Sequence, residues 1–352
     1  MSSDVVPPVD ASASAPPIVA RAPGLDDRFG RLEIVFWLLA IAPLLVLPDY
    51  LVLASQVLIA ALFALSLDLI LGYAGIVSLG HAAFFGVGAY VAGLLSVRGH
   101  AEPLSGLVVA ALASGVVGFC TSFLVVGGHG LTRLMVTLAV GLSLHEAANQ
   151  ASSVTGGTDG LSGMETSDLL SLLPFDMLGK TAYLYVLGVC FVVFLLVRRL
   201  VHSPFGLSLR GIRENERRMH ALGAPVQRRL IEVYTLAAAL AGVAGALSAQ
   251  TTEFVGLETL GFDRSAGALV MLVLGGAGRL YGAFVGSCLF MLLQSVFSDI
   301  HPAYWQFWMG CLVMLIAFFA RGGILGYASD MLMRLRERRA LSAAAPAART
   351  RA

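Results

Sequence analysis

The residues able to do chemistry are few, and their spacing denies most reactions. Gly179-Lys180-Thr181 has the ending of a phosphate-binding loop, and Lys180 is the only lysine in the chain. The full pattern G-x-x-x-x-G-K-[ST] needs glycine at 174, where the chain has Pro174, so no loop of that kind cradles a triphosphate. His145-Glu146 lacks the second histidine of a zinc-binding H-E-x-x-H turn and reads first as an interfacial cap, second as a group touching a solute. Asp68 is the most conspicuous ionisable residue inside an apolar run. It reads either as an interfacial group that caps the glycine-rich segment after it, or as a functional residue. His81, in SLGHAAFF, has no companions at ligand spacing; it reads as a hydrogen-bonded packing residue or as the lining of a path. Cys120, Cys190, Cys288 and Cys311 lie in apolar runs without C-x-x-C spacing and read as small buried hydrophobes.

Charge gathers instead in Ser203 to Gly223, SPFGLSLRGIRENERRMHALG, which carries Arg210, Arg213, Arg217 and Arg218 with Glu214 and Glu216 between two apolar stretches. Such a segment must stand in water. Ser203 as cap, Pro204 at the first helical position and Pro225 after Gly223 predict one short helix. Phe205, Leu209, Ile212, Met219 and Leu222 make it amphipathic and suited to a protein groove, a handle by which a partner moves the rest of the chain. The flanking pairs Arg198-Arg199 and Arg228-Arg229 suit anionic lipid heads. Acids interleave with the bases and no aromatic platform accompanies them, which argues against nucleic acid.

The elements that hold these residues are membrane spans. The 352 residues are 57% hydrophobic and 13% charged, against about a quarter charged in soluble domains. Apolar runs of roughly 20 residues, the length a helix needs to cross the hydrocarbon, predict an all-α polytopic membrane protein with about ten transmembrane helices, some broken or re-entrant at glycine-rich segments. The runs begin near Leu32, Leu51, Gly72, Leu104, Leu131, Thr181, Leu230, Phe262, Ala283 and Tyr304. Eight arginines fall between Arg198 and Arg229, whereas Lys180 is the only base in the loop 149–180. The positive-inside rule therefore puts 198–229 in the cytoplasm, 149–180 outside and both termini inside. Residues 1–30 read as a disordered tail, 31–326 as the membrane domain and 327–352 as a basic tail. Glycine density in 72–95 and 263–286 marks helices that break around a pathway, with Asp68, Tyr73, Ser78, His81, Gly275 and Gly276 as its candidate residues and the two segments as a weak internal repeat. In the turn-rich outer loop, Thr155, Thr158 and Asp159 are candidates for contact with an external partner.

GYAGIVSLGHAAFFGVGAY at 72–90, TGGTDGL at 155–161, SPFGLSLRGIREN with ALG within 203–223, AAALAGVAGAL at 237–247, VLGGAGRLYGAFVG at 273–286 and ARGGILG at 320–326 together resemble the permease subunits of branched-chain amino acid ABC importers, the LivM type. The resemblance covers about residues 50–326 in order. It implies a non-enzymatic permease of a bacterial inner membrane, paired with a second permease, docked on two cytoplasmic ATPases that hold ATP and Mg, and fed by a periplasmic binding protein. No cofactor of its own is implied. In that family the helix after SPFG couples to the ATPase groove, which here assigns Ser203, Pro204, Phe205, Gly206, Arg210, Arg213, Glu214, Asn215, Glu216, Leu222 and Gly223. The sequence departs from the family pattern at Asp68, where asparagine is usual, and at Arg217-Arg218-Met219-His220, which suggests a more acidic groove in the partner. Relatives of this type also carry urea, amides and aromatic acids. An ion-coupled transporter would show several paired ionisable groups deep in the spans, and Asp68 is the main one present.

Overall fold

The computed structural model describes residues 31–46, 48–99, 102–164, 179–300, 302, 304–319 and 323–327. The two expected tails, Arg321, and the stretch 165–178 with Glu165, Asp168 and Asp176 lie outside the described residues. The rest is helical: α1 (Arg31–Val46), α2 (Leu51–Asp68), α3 (Ala82–Val97), α4 (Pro103–Val126), α5 (Leu131–Gln150), α6 (Ser152–Thr155), α7 (Lys180–His202), α8 (Pro204–Glu214), α9 (Glu216–Ala221), α10 (Val226–Thr252), α11 (Phe262–Gly275), α12 (Leu280–Ile300) and α13 (Trp305–Phe319). Each of the ten apolar runs expected from the sequence forms a helix. Among the described residues five helices are long and apolar enough to cross a membrane: α2 with its π-helical extension Leu69–Tyr73, α4, α7, α10 and α12. Α-helical self-pairing of backbone groups is what such a solvent demands.

The molecule is built around α10, which packs on α4, α3 and α2. Small residues let the axes close up. An added Cβ at Gly88 of α3 would run into the backbone of Gly242 in α10, and one at Gly245 into the Phe85 carbonyl. Without a hydrophobic force between helices in lipid, such contact and buried hydrogen bonds hold the bundle. Ser114 of α4 supplies one bond, donating to the Phe84 carbonyl at 3.0 Å.

On the other flank, α1 is fastened by aromatic edges, with Phe36 5.1 Å from Tyr281 and Trp37 5.3 Å from Phe194. Its Glu33 pairs with Arg198 of α7 at 2.7 Å. Arg198 is buried, so it is an internal strut and not the lipid-facing base expected from its sequence position. Cys190 is buried as expected, but Cys120, Cys288 and Cys311 lie exposed on helix surfaces, which an apolar face toward lipid permits. At the far end from α8, the turn 156–160 folds over, and Leu161 and Val255 exchange backbone hydrogen bonds of 2.8 and 3.1 Å.

The Gly88 contact yields an expectation. Gly88→Leu should abolish recovery of monodisperse protein in detergent, because α3 and α10 cannot separate without opening the core. Gly188→Ala, where an added Cβ meets nothing within 4 Å, should leave the elution profile and melting temperature unchanged.

Candidate functional site

Two helices stop short and turn back near one another, and the polar segment sits on both turns. The first break follows α2: the π-helical turn Leu69–Tyr73 ends it, Gly75 takes φ +76, and regular helix resumes only at Ala82. The second lies between α11 and α12, where Gly276 and Gly278 take φ values of +105 and +81. Each break leaves backbone groups without intrahelical partners. The structure satisfies them across the gap. Asp68 Oδ1 accepts the Gly278 N–H at 2.7 Å, and the Arg213 guanidinium of α8 donates to the Gly72 carbonyl. An added Cβ on Gly72 would strike both the Asp68 carboxylate and the Gly278 amide, so only glycine closes this joint.

Asp68 is thus fully buried, and it caps a segment 210 residues away, not the glycine-rich run directly after it. Its second oxygen, Oδ2, meets no hydrogen-bond partner among the described residues. Arg210 lies 5.3 Å from the Tyr73 ring centroid, a second clasp between α8 and the π-helical turn. Between α7, α8 and the two breaks opens a cavity of about 810 Å³ lined by Arg198, Arg210, Arg213 and Arg279 with Glu33 and Glu214.

The polar segment itself differs from the single helix expected. Asn215, with φ −158 and ψ 96, breaks it into α8 and α9, and its side chain accepts the Arg218 N–H at 2.9 Å as the cap of α9. Ser203 occupies the cap position of α8, yet its hydroxyl turns back to donate to the Leu200 carbonyl at 2.6 Å. Pro204 opens α8 as expected, and Gly206 packs tightly against the backbone of Val201. The apolar side of α8 is not offered to a partner: Leu209 and Ile212 are buried against the chain's own core. Phe205 lies 5.3 Å beneath the Arg229 guanidinium. What α8 and α9 present outward is Glu214, Arg217 and Arg218 with Leu207 and Leu222, before Gly223 turns the chain at φ +79. Glu216 pairs with Arg133 of α5 at 3.2 Å, tying α9 to a third helix.

The other sequence candidates are placed apart. Gly275 and Gly276 belong to the second break, and a Cβ on Gly275 would meet the Gly282 carbonyl. Ser78 and His81 are fully buried in the first break, nearer the middle of the bundle. His81 Nε2 lies 2.9 Å from Ser66 Oγ, its ring stacks on Phe63 at 5.5 Å, and its Nδ1 and the Ser78 hydroxyl have no partner among the described residues. At the opposite end, the Thr155 hydroxyl donates to the Ala148 carbonyl at 2.6 Å and accepts the Gly157 N–H at 3.2 Å, which makes it a loop brace. Thr158 and Asp159 are exposed beside it. Among the described residues no cluster of three His, Cys, Asp or Glu side chains has the geometry of a metal site. Sequence reasoning missed Arg133 and Glu33, the two ends of the interhelical struts. Their signal was slight: each is a charge in the first turn of a mostly apolar helix, Glu33 two residues after Arg31.

Comparison with known proteins supplies the context. Residues 50–318 match the model of the family described as branched-chain amino acid transport system / permease component. The chain is similar to the high-affinity branched-chain amino acid transport system permease protein LivM of Escherichia coli K12, 27% identical over 293 residues, covering 77% of this chain and 69% of that protein. It is 25% identical over 314 residues to a probable LivM permease of Methanocaldococcus jannaschii, covering 74% and 89% of the two. To the autoinducer 2 import system permease protein LsrC of Enterobacter sp. strain 638 it is 28% identical over 273 residues, covering 74% and 75%. No solved structure matches it.

The capping geometry of Asp68 can be tested by substitution. Asp68→Ala strips a buried N–H of its acceptor, at a cost of about 1–3 kcal/mol, and should lower the melting temperature of the purified protein. Asp68→Asn keeps an acceptor for Gly278 and should melt at or above the parent temperature.

Proposed function

Because the chain belongs to the family of branched-chain amino acid transport permease components, we propose that it forms one membrane half of an ATP-driven importer whose energy comes from separate ATPase subunits. The solute in this reading is a branched-chain amino acid or a related small polar molecule. The joint of α8 with the two helix breaks carries the proposal: a water-exposed helix that a partner can grip is bonded directly to the places where the spans are interrupted. A second reading, import of another small polar solute by the same machinery, is favoured by the similarity to the permease named for autoinducer 2.

In the proposed complex a second permease of the same family completes the pathway and two ATPases, holding ATP and Mg, meet α8 and α9 in the cytoplasm. A periplasmic binding protein docks near Thr158 and Asp159. The eight arginines from Arg198 to Arg229 favour this orientation in a bacterial inner membrane, with both termini cytoplasmic. Glu214, Arg217 and Arg218 make the ATPase contact, since they are exposed charged side chains outside the joint, whereas the equally exposed Arg213 is bonded to Gly72. Closure of the ATPases then shifts α8, and the Arg213 bond and the packing of Leu209 and Ile212 pass that shift to the breaks at 72–80 and 276–279. The pathway runs beside those breaks, where backbone groups freed from helix can meet solute.

Docking and coupling separate experimentally. Arg217→Glu with Arg218→Glu should release the ATPases during co-purification from the native membrane. Arg213→Ala should leave the complex intact and hydrolysing ATP, yet lower uptake into liposomes about tenfold, the effect of roughly 1.5 kcal/mol of charge-assisted hydrogen bonding. A chain that elutes alone and transports without ATP would overturn the proposal.

A further inference from the structure

The helix α11 is too short to cross a bilayer, and its first turn carries two adjacent opposite charges, Asp263 and Arg264. Its C-terminal end is fixed at the joint, beside the water-exposed α8, by the Gly278 to Asp68 bond. Fourteen residues at 1.5 Å each reach about 21 Å, whereas the hydrocarbon is about 30 Å thick. The first turn of α11 therefore lies inside the membrane.

Independent contacts fix the same depth. Ser265 accepts the Ala82 N–H at 2.8 Å, placing it at the start of α3. Two residues along α3, the Phe84 carbonyl accepts from Ser114, which stands at the centre of the span Pro103–Val126. The Arg264 guanidinium rests 4.4 Å above the ring of Phe85. Arg264 thus sits level with the middle of α4. Asp263, Arg264 and the neighbouring Glu258 are nevertheless exposed on this chain.

An exposed acid–base pair at mid-depth is costly against lipid, so the face it occupies must be wet or paired. The surroundings favour water. From Val255 at the far end of the bundle the chain runs through the short turn Leu257–Leu260 to Gly261, with Leu260 packed on Gly86 of α3, and non-regular backbone that enters to this depth is tolerated only inside protein or along a water-filled cavity. The break at 74–81 lies against the same turn, with the unpartnered Ser78 hydroxyl and His81 Nδ1 in it. We infer that Asp263 and Arg264 line the translocation pathway, where Arg264 binds the carboxylate of a zwitterionic solute and Asp263, aided by Glu258, its ammonium group. A guanidinium held over an aromatic ring can turn N–H groups to a carboxylate, and an acid beside it complements the other end of an amino acid. The inference rests on the importer reading and adds the side chains that meet the solute, two residues at the start of the segment 263–286 that were not among its candidates.

The test uses the assembled importer with both permeases, both ATPases and the binding protein, in liposomes. Asp263→Cys and Arg264→Cys variants are treated with a membrane-impermeant charged methanethiosulfonate, with and without ATP, and the label is located by peptide mass spectrometry. Phe119→Cys, on the exposed apolar face of α4, serves as the lipid-facing reference. Labelling at 263 and 264 but not at 119, slowed at least severalfold by leucine with the binding protein, is the expected result. Uptake of radiolabelled leucine should fall at least tenfold in Arg264→Ala and less in Arg264→Lys. Absence of label at both positions in every nucleotide state overturns the inference, because it places the pair in a dry interface. So does unchanged leucine uptake in Arg264→Ala. Labelling depends on no transported solute, so label on the 263 and 264 cysteine variants together with a parent complex that imports no leucine refutes the leucine-like solute while leaving the water-lined pathway standing.

Discussion

Everything in this structure depends on how backbone groups are satisfied where helices are interrupted within the packed bundle, away from water. An unmet buried N–H or C=O costs about 1–3 kcal/mol even in proteins with solvent nearby, and more in hydrocarbon. Two interruptions within one bundle are therefore stable only if each finds partners. The chain solves this by setting the breaks against each other, so that Asp68 before the first break accepts from Gly278 in the second. Arg213, from a helix outside the spans, lies against Gly75 and donates to Gly72. The polar segment is thereby built into the hydrogen-bond balance of the membrane domain.

The rest of the architecture keeps those breaks in register. The close crossing of α3 and α10 at Gly88 and Gly242 fixes α3 immediately after the first break. Glu33 with Arg198 and Arg133 with Glu216 hold α1 and α5 to the elements around α8. Removing one partner of such a buried pair typically costs about 3–5 kcal/mol because the remaining charge stays buried. These struts converge on the end of the bundle where α8 lies, and the opposite end is held mainly by the 155–163 turn against Val255.

Much of this was legible in the residues. Most apolar runs became helices within a few residues of their expected ends, because in lipid every backbone group must pair within its own segment, while the run expected from Gly72 becomes regular helix only at Ala82. Pro204 and Gly223 marked the limits of the polar segment for local reasons that hold in any context. What could not be read was direction. Leu209 and Ile212 looked like a docking face because periodicity shows that a face is apolar, not which neighbour covers it. Asp68 looked like a local cap because its partner, Gly278, lies 210 residues away. Asn215 was hidden in a helical pattern, and only its extended backbone reveals the cap that divides α8 from α9. The shallow start of α11 was equally silent: Phe262 to Leu274 was read as the beginning of a span, and its true depth follows from contacts with α3 and α4.

The joint also constrains how motion would travel in the proposed importer. Leu209 and Ile212, packed without gaps on the core, resist compression, so an inward push on α8 moves the bundle beneath it as a body. A pull is different, because dispersion contacts fail once surfaces part by a fraction of an ångström. Tension passes along the backbone through Ser203 to α7 and through directional bonds, which on α8 are Arg213 on Gly72, with Arg210 on Tyr73 beside it. Both act on the π-helical turn Leu69–Tyr73 that ends α2. Force in that direction would therefore open the first break before it disturbs α2 itself, and through Asp68 the second break would follow.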